Sequence, residues 1–235
     1  MKKPWRGAFA IVFLGLLFAA LAPACVDNES SLFIRYVAQP SCDLVTTDSP
    51  EIGQGYLDTR YQCGYSAVLI IGNQLVKRGD DNKLQTETSR VEIKGADVQV
   101  LSSDGEVLGQ FSPPAVGFVD PANNTNPGYG LTEILLVDGA TAQLIDNSGI
   151  SYVIAHVVVR GRTLGGQDLT TAPFDFPINV CNGCLCQVPP DDTCINPDST
   201  PKEQCWIRQD APFDCRFLGG KIDCSWTGQC GVLHQ

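Results

Sequence analysis

The sequence predicts an all-β protein: an antiparallel, immunoglobulin-like β-sandwich over residues 32–180, followed by a small, disulfide-rich, loop-dominated module over 181–235. Three observations predict it. Between Leu32 and Val180, short runs rich in β-branched and aromatic residues recur between Gly, Pro, Asn and Asp, and no segment keeps a 3.6-residue period. From Cys181 the cysteine density jumps, with eight cysteines in residues 181–235 against three before. Ahead of both, residues 1–24 have the three-part layout of a removable export signal.

That leader opens with Lys2, Lys3 and Arg6, runs through an apolar stretch from Ala8 to Ala22, and ends at Ala22-Pro23-Ala24-Cys25. The apolar stretch holds 15 residues, short of the roughly 20 a helix needs to cross hydrocarbon. It is therefore a leader rather than a span, and any lasting membrane attachment must come by another route. Leu21-Ala22-Pro23-Ala24-Cys25 resembles the lipobox of bacterial lipoproteins, although Leu21 stands four residues before the cysteine where the family places it three before. The resemblance implies that Cys25 becomes thioether-linked to diacylglycerol; ordinary Ala-x-Ala cleavage at Ala22 and Ala24 is the competing reading. Cysteine parity favours the lipid, because removing Cys25 from the 11 leaves an even set that can pair completely. In lipoproteins of two-membrane bacteria, Asp directly after the lipidated cysteine retains the protein at the inner membrane. Here Val26 holds that place and Asp27 follows, which implies the outer membrane. Residues 25–31 then form a short tether: Val26 to Ser31, fully extended, reach about 20 Å, so the folded part sits close to the lipid surface.

Seven strands are expected in the sandwich: 32–38, 67–76, 91–101, 107–111, 131–137, 152–160 and 174–180. Ala67 to Ile71 is apolar on both parities and reads as a central strand. In Val91 to Val100 the apolar positions fall at 91 and 93, then at 96, 98 and 100; the parity flip at Gly95 predicts a β-bulge. Asp104-Gly105 and Asp138-Gly139 are both placed as hairpin turns. Phe174, Phe176, Ile178 and Val180 alternate with polar residues, and Pro177, lacking an N–H, puts that strand at an edge.

Cys42 and Cys63 most simply pair with each other, closing a loop worth about 3 kcal/mol in the chain-entropy model. The remaining cysteines, Cys181, Cys184, Cys186, Cys194, Cys205, Cys215, Cys224 and Cys230, are expected to form four bridges of undetermined connectivity. A module this short cannot bury enough apolar surface to fold by its core alone, which is why disulfides are expected. Proline-rich turns leave it little regular structure, with 202–209 at best a short helix. Trp206 and Trp226 stand beside cysteines and read as packing for it, with exposed recognition as the alternative.

The three leader cations leave with the signal, taking the formal charge from −10 to −13. That argues against nucleic acid, which needs a basic footprint. Cys181-Asn182-Gly183-Cys184 has the Cys-x-x-Cys spacing of redox enzymes and zinc sites, yet a strand precedes it and no helix follows to activate a thiolate, so structural bridging is the better reading. The two histidines, His156 in a strand and His234 near the C-terminus, have no nucleophile motif beside them. The acidic loops 80–82 and 120–124 do not follow the EF-hand order and read as solvated turns, as does Arg78-Gly79-Asp80. The glycosylation triplets at Asn28 and Asn123 are expected to go unused. No catalytic residue, metal or cofactor is expected.

Leader, near-lipobox, β region and cysteine tail resemble the cysteine-rich lipoproteins of predatory and soil-dwelling two-membrane bacteria, of the myxobacterial type. In recognisable residues the resemblance rests on Leu21 to Cys25 and on Val180-Cys181-Asn182-Gly183-Cys184. It implies an outer-membrane lipoprotein, held by its lipid anchor, with a non-enzymatic structural or protein-interaction role toward another envelope protein or a glycan. A carbohydrate- or peptide-binding sandwich is the alternative. An exported hydrolase or thiol oxidoreductase, working through His156 or Cys184, is a second.

Overall fold

A computed structural model describes residues 31–40, 44–79, 86–123, 125–187, 209–211 and 213–214. Thirteen strands and one helix lie in these residues. They run β1 (Leu32–Ala38), β2 (Glu51–Ile52), β3 (Gly55–Asp58), β4 (Tyr65–Asn73), β5 (Val91–Ser102), β6 (Val107–Phe111), β7 (Pro114–Val119) and β8 (Gly128–Val137); after the helix Gly139–Ser148 come β9 (Tyr152–Thr163), β10 (Asp168–Thr170), β11 (Phe174–Cys181), β12 (Cys186–Gln187) and β13 (Phe213–Asp214).

Two sheets face each other. The first has the order β2-β1-β4-β8 and the second β3-β11-β9-β5-β6, with β10 added beside β9 and β7 beside β5. The protein is therefore an all-β sandwich, as the alternating runs predict. β4 lies between β1 and β8, and Leu69, Ile70 and Ile71 are all fully buried there, so the doubly apolar run is indeed central. The inner faces meet in one core that includes Leu32, Leu69, Ile93, Val98, Ile134, Val157, Phe176 and Ile178. Burying each such large side chain contributes roughly 1.5–3 kcal/mol. At one side the sheets close on each other, where Thr132 Oγ1 donates to the Val116 carbonyl at 3.0 Å and ties β8 to β7.

The bulge in β5 is where parity places it: pairing with both β7 and β9 slips between Ile93 and Gly95. A Cβ at Gly95 would stand 2.8 Å from the Pro113 carbonyl oxygen, so only glycine fits. Asp104-Gly105 turns β5 into β6 as expected, Gly105 taking φ +82°. A second bulge, at Arg35 in β1, carries no comparable sequence signal. Pairing slips between Ile34 and Tyr36, after which Val37 faces the core while Tyr36 and Ala38 join a small outer cluster with Ile70.

Three expectations need correction. Asp138-Gly139 starts the helix rather than a hairpin: the Asp138 side chain accepts the Thr141 N–H at 2.8 Å as N-cap, and Gly149, at φ +65°, ends it. β11 is an edge only along its first half, because β3 runs parallel beside Ile178 to Cys181; Pro177 is the residue just before that pairing begins. The short strands β2, β3, β7 and β10 lie outside the seven expected ones, their runs being too short or too interrupted by Gly and Pro to register. The suggested helix over 202–209 lies outside the described residues except for Gln209, which is in a bend.

Strand directions give the sandwich two distinct ends. Leu32, Asn73, Gly128, Val91 and Thr163 lie together at one, which we term proximal because β1 begins there. Ala38, Val137, Ser102, Tyr152 and Cys181 lie toward the other, the distal end, where the chain leaves β11. β5 and β9 each span 12 residues between them, which at about 3.3 Å per residue separates the ends by roughly 35–40 Å.

Candidate functional site

The chemistry of the molecule concentrates at those two ends. At the distal end, Asp58 terminates β3 and is fully buried. Buried carboxyl oxygens need donors, and Asp58 has them from the backbone: Oδ1 accepts from Gly183 N–H at 2.7 Å and Arg60 N–H at 3.1 Å, and Oδ2 accepts from Leu185 N–H at 2.9 Å. It therefore holds the start of the C-terminal segment. Cys181 and Cys184 are joined to each other with Cα atoms 5.8 Å apart. Their sulfurs and an Asp58 oxygen lie within 4.8 Å of one another, but the sulfurs are spent on the bridge and the carboxylate on N–H groups. Beside this turn, Asp146 of the helix accepts from Thr59 Oγ1 at 2.7 Å and Asn182 Nδ2 at 3.0 Å, and these two bonds lower its pKa.

A second carboxylate secures the tail. Asp210 is the one non-glycine residue among the described residues with positive φ, at 63°, a conformation Asp adopts at modest cost. There its Oδ1 accepts the Tyr56 N–H at 2.7 Å and the Tyr65 hydroxyl at 2.8 Å, while its own N–H donates to the Tyr56 carbonyl at 3.1 Å. The tail thus caps the outer edge of β3. Gln209 Nε2 adds a bond to the Ser66 carbonyl at 2.6 Å. Burial raises the Asp210 pKa, opposed by the hydrogen bonds from Tyr56, Tyr65 and Gln209. Burial also raises that of Tyr65, and the adjacent Asp210 charge pushes it the same way. Cavities of about 320 and 280 Å³ flank this seam. The larger is walled by apolar groups such as Val37, Val45 and Val68, with Glu133 and Asp210 as its acids.

The proximal end is closed by a neutral amide. Asn73 is fully buried; its Nδ2 donates to the Ser89 carbonyl at 2.9 Å and the Val119 carbonyl at 3.4 Å, and its Oδ1 accepts the Leu75 N–H at 2.9 Å. Nearby, Glu87 accepts the N–H groups of Arg78, Gly79 and Ser89. Burial works against its charge, but those backbone bonds outweigh it and lower its pKa. Glu87 thus holds the backbone of Arg78 and Gly79, while Asp80, the rest of the expected turn, lies outside the described residues. Arg90 Nε lies 3.0 Å from Asp120 Oδ1 without hydrogen-bond alignment, a pairing of charge rather than a directed bond. Val76 and Leu164 are exposed here, at 73% and 46%. On the outer face of the first sheet, Phe33 and Tyr129 meet edge to face with centroids 6.4 Å apart, and the Arg35 guanidinium lies 4.6 Å from the Tyr129 ring. The outer face of the second sheet is laced instead with the ion pairs Lys94–Glu92, Arg160–Asp97 and Arg162–Asp168, and His156 Nδ1 is hydrogen-bonded to Asp175 Oδ1 at 2.6 Å.

Of the residues singled out from sequence, Cys181 and Cys184 are bonded as a structural pair, and Cys63 is in a disulfide. Cys42, the expected partner of Cys63, lies outside the described residues, as do Cys25, Cys194, Cys205, Cys215, Cys224, Cys230, Trp206, Trp226 and His234; for Cys186 only the backbone is described. His156 sits on the outer, polar parity as its register predicts, and its partner is Asp175 on the neighbouring strand. Sequence reasoning missed Asp58, Asn73, Tyr65 and Asp210, whose partners lie far along the chain. Among the described residues no helix is long and apolar enough to cross a membrane. Neither the known family models nor the curated proteins contain a match to this chain.

Proposed function

We propose that the protein is an outer-membrane-anchored lipoprotein with a non-enzymatic role, in which the sandwich stands between the bilayer and the cysteine-rich module and offers that module to another envelope component. The observation that carries this reading is directional: the tether joins the sandwich at one end and the module leaves it at the other, roughly 35–40 Å away. The Cys181–Cys184 disulfide fits an exported protein, since such bonds persist in oxidising compartments. Two carboxyl groups, the buried Asp58 and the partly buried Asp210, are spent on fastening chain to chain, which suits a rigid support. Cys25 supplies the lipid, and six residues of tether keep the proximal end near it.

Radiolabelled palmitate fed to the producing cell tests the reading. Label is expected in the wild-type chain and absent from Cys25→Ala, which should leave the membrane fraction. Wild-type protein without label, and Cys25→Ala unchanged in location, would refute it. The carbohydrate- or peptide-binding alternative has its foothold in the half-buried Phe33–Tyr129 pair with Arg35 above it. Binding of glycan or peptide lost with Tyr129→Ala would favour that alternative.

A further inference from the structure

We infer that the proximal end of the sandwich is a membrane-seating surface whose occupant is an anionic phospholipid headgroup layer; this rests on the lipid-anchor reading above. The chain preceding the described structure ends at Ser31, where β1 begins, and Gln74 N–H donates to the Ser31 carbonyl at 2.8 Å, fixing that point to the proximal loops. With only six residues from Cys25 to β1, reaching about 20 Å, this end cannot stand far from the lipid. The end itself carries what a headgroup layer accepts. Val76 is 73% exposed and is followed at once by Lys77 and Arg78. Leu164 is 46% exposed, and its N–H donates to the Arg90 carbonyl. Phe33 and Tyr129 lie in the second register row from this end, edge to face, and Arg35 stacks over Tyr129, the aromatic-plus-arginine combination favoured where apolar and polar phases meet.

Charge separates the two ends. Among the described residues, Lys77, Arg78, Arg90, Lys94, Arg160 and Arg162 lie in the proximal half and balance the acids there: Glu87, Glu92, Asp97, Asp120 and Asp168. The distal end sets Arg60 against Glu51, Asp58, Asp104, Glu106, Asp138 and Asp146. Above an anionic surface a molecule so polarised turns its acidic end outward. Anchor and field therefore choose the same orientation, proximal end down and cysteine-rich module up.

The full lipidated chain, reconstituted in phosphatidylethanolamine–phosphatidylglycerol vesicles doped with brominated lipid, reports this directly. Val76→Trp places a probe at the proximal end and Leu144→Trp one on the distal helix, 44% exposed; the wild-type chain supplies the background from Trp206 and Trp226. Both variants should float with the vesicles. The added emission of Val76→Trp should be quenched roughly threefold more than that of Leu144→Trp, and Arg78→Glu in the Val76→Trp background should reduce that quenching in phosphatidylglycerol vesicles but not in phosphatidylcholine ones. Equal quenching in two floating variants would overturn the seat while leaving the anchor, and would point to a soluble partner for this end. Chains that do not float would remove anchor and seat together.

Discussion

The two ends of the sandwich are closed by opposite means. At the distal end two carboxyl groups, the fully buried Asp58 and the partly buried Asp210, are matched donor by donor to backbone far away along the chain. At the proximal end the buried element is a neutral amide, Asn73, and the charges stay on the surface in pairs such as Arg90–Asp120. A buried carboxyl group tolerates few alternatives, because losing one donor leaves an oxygen without a partner away from water. It therefore specifies one particular segment, here the start of the module. A buried amide closes loops without that demand and leaves surface charge available to an outside partner. The distal end grips its own chain, and the proximal end keeps its charges at the surface, paired with one another.

Removing the distal grip should have the largest effect. Asp58→Ala orphans three backbone N–H groups beside the Cys181–Cys184 turn; at 1–3 kcal/mol per unsatisfied buried group, and with Arg60 and Gly183 only partly buried, the expected loss is about 3–5 kcal/mol. Denaturant unfolding should show the midpoint falling. Asp58→Asn should recover little, since one amide nitrogen would point a donor at a donor. A loss under about 1 kcal/mol would mean that the disulfide, not the carboxylate, secures the turn. The matching proximal change, Asn73→Ala, releases two carbonyls and one N–H and should cost less, about 2–3 kcal/mol, because an under-satisfied carbonyl is tolerated better than an orphaned N–H and the contact to Val119, at 3.4 Å, is already weak. Should Asn73→Ala prove the more costly of the two, the contrast between the ends fails.

The sheet was legible where alternation is long and uninterrupted. β1 and β6 fall on the residues their patterns indicate, and the Gly95 parity flip is a real bulge, because a period of two leaves no other way to keep both halves facing inward. The helix was illegible for the converse reason. Only Thr141, Ala142 and Ile145 of its ten residues are buried, too narrow a stripe to show a period, and Asp-Gly suits a helix N-terminus as readily as a hairpin. The arrangement at the ends was mostly out of reach. Asp58 meets Leu185 across 127 positions and Tyr65 meets Asp210 across 145, pairings that the folded path creates and that no local spacing encodes. What the sequence did announce there was that Cys181 and Cys184 are structural disulfide cysteines; that they pair with each other is read only from the structure.

The smallest expected effect is also the most selective. Burial raises the Asp210 pKa above its ordinary value of about 4, so the folded state binds its proton more tightly than the unfolded chain does. Its contribution to docking the tail is then fully present below the unfolded pKa and declines as pH rises through the raised folded value. Asp146 and Glu87, whose pKa values are lowered, behave in the opposite sense and weaken only as pH falls through theirs. Hydrogen exchange at the Tyr56 amide, which donates to Asp210, isolates the first effect. Its protection should drop as pH climbs above the ordinary carboxylate range, after correction for intrinsic exchange, whereas Asp210→Asn should hold it flat because the amide keeps both an acceptor and a tolerance for the left-handed backbone. The Ser89 amide, held by Glu87 at the other end, should show no such decline. If both amides lose protection together, the sandwich is opening as a whole, and its two ends do not respond to pH as separate units.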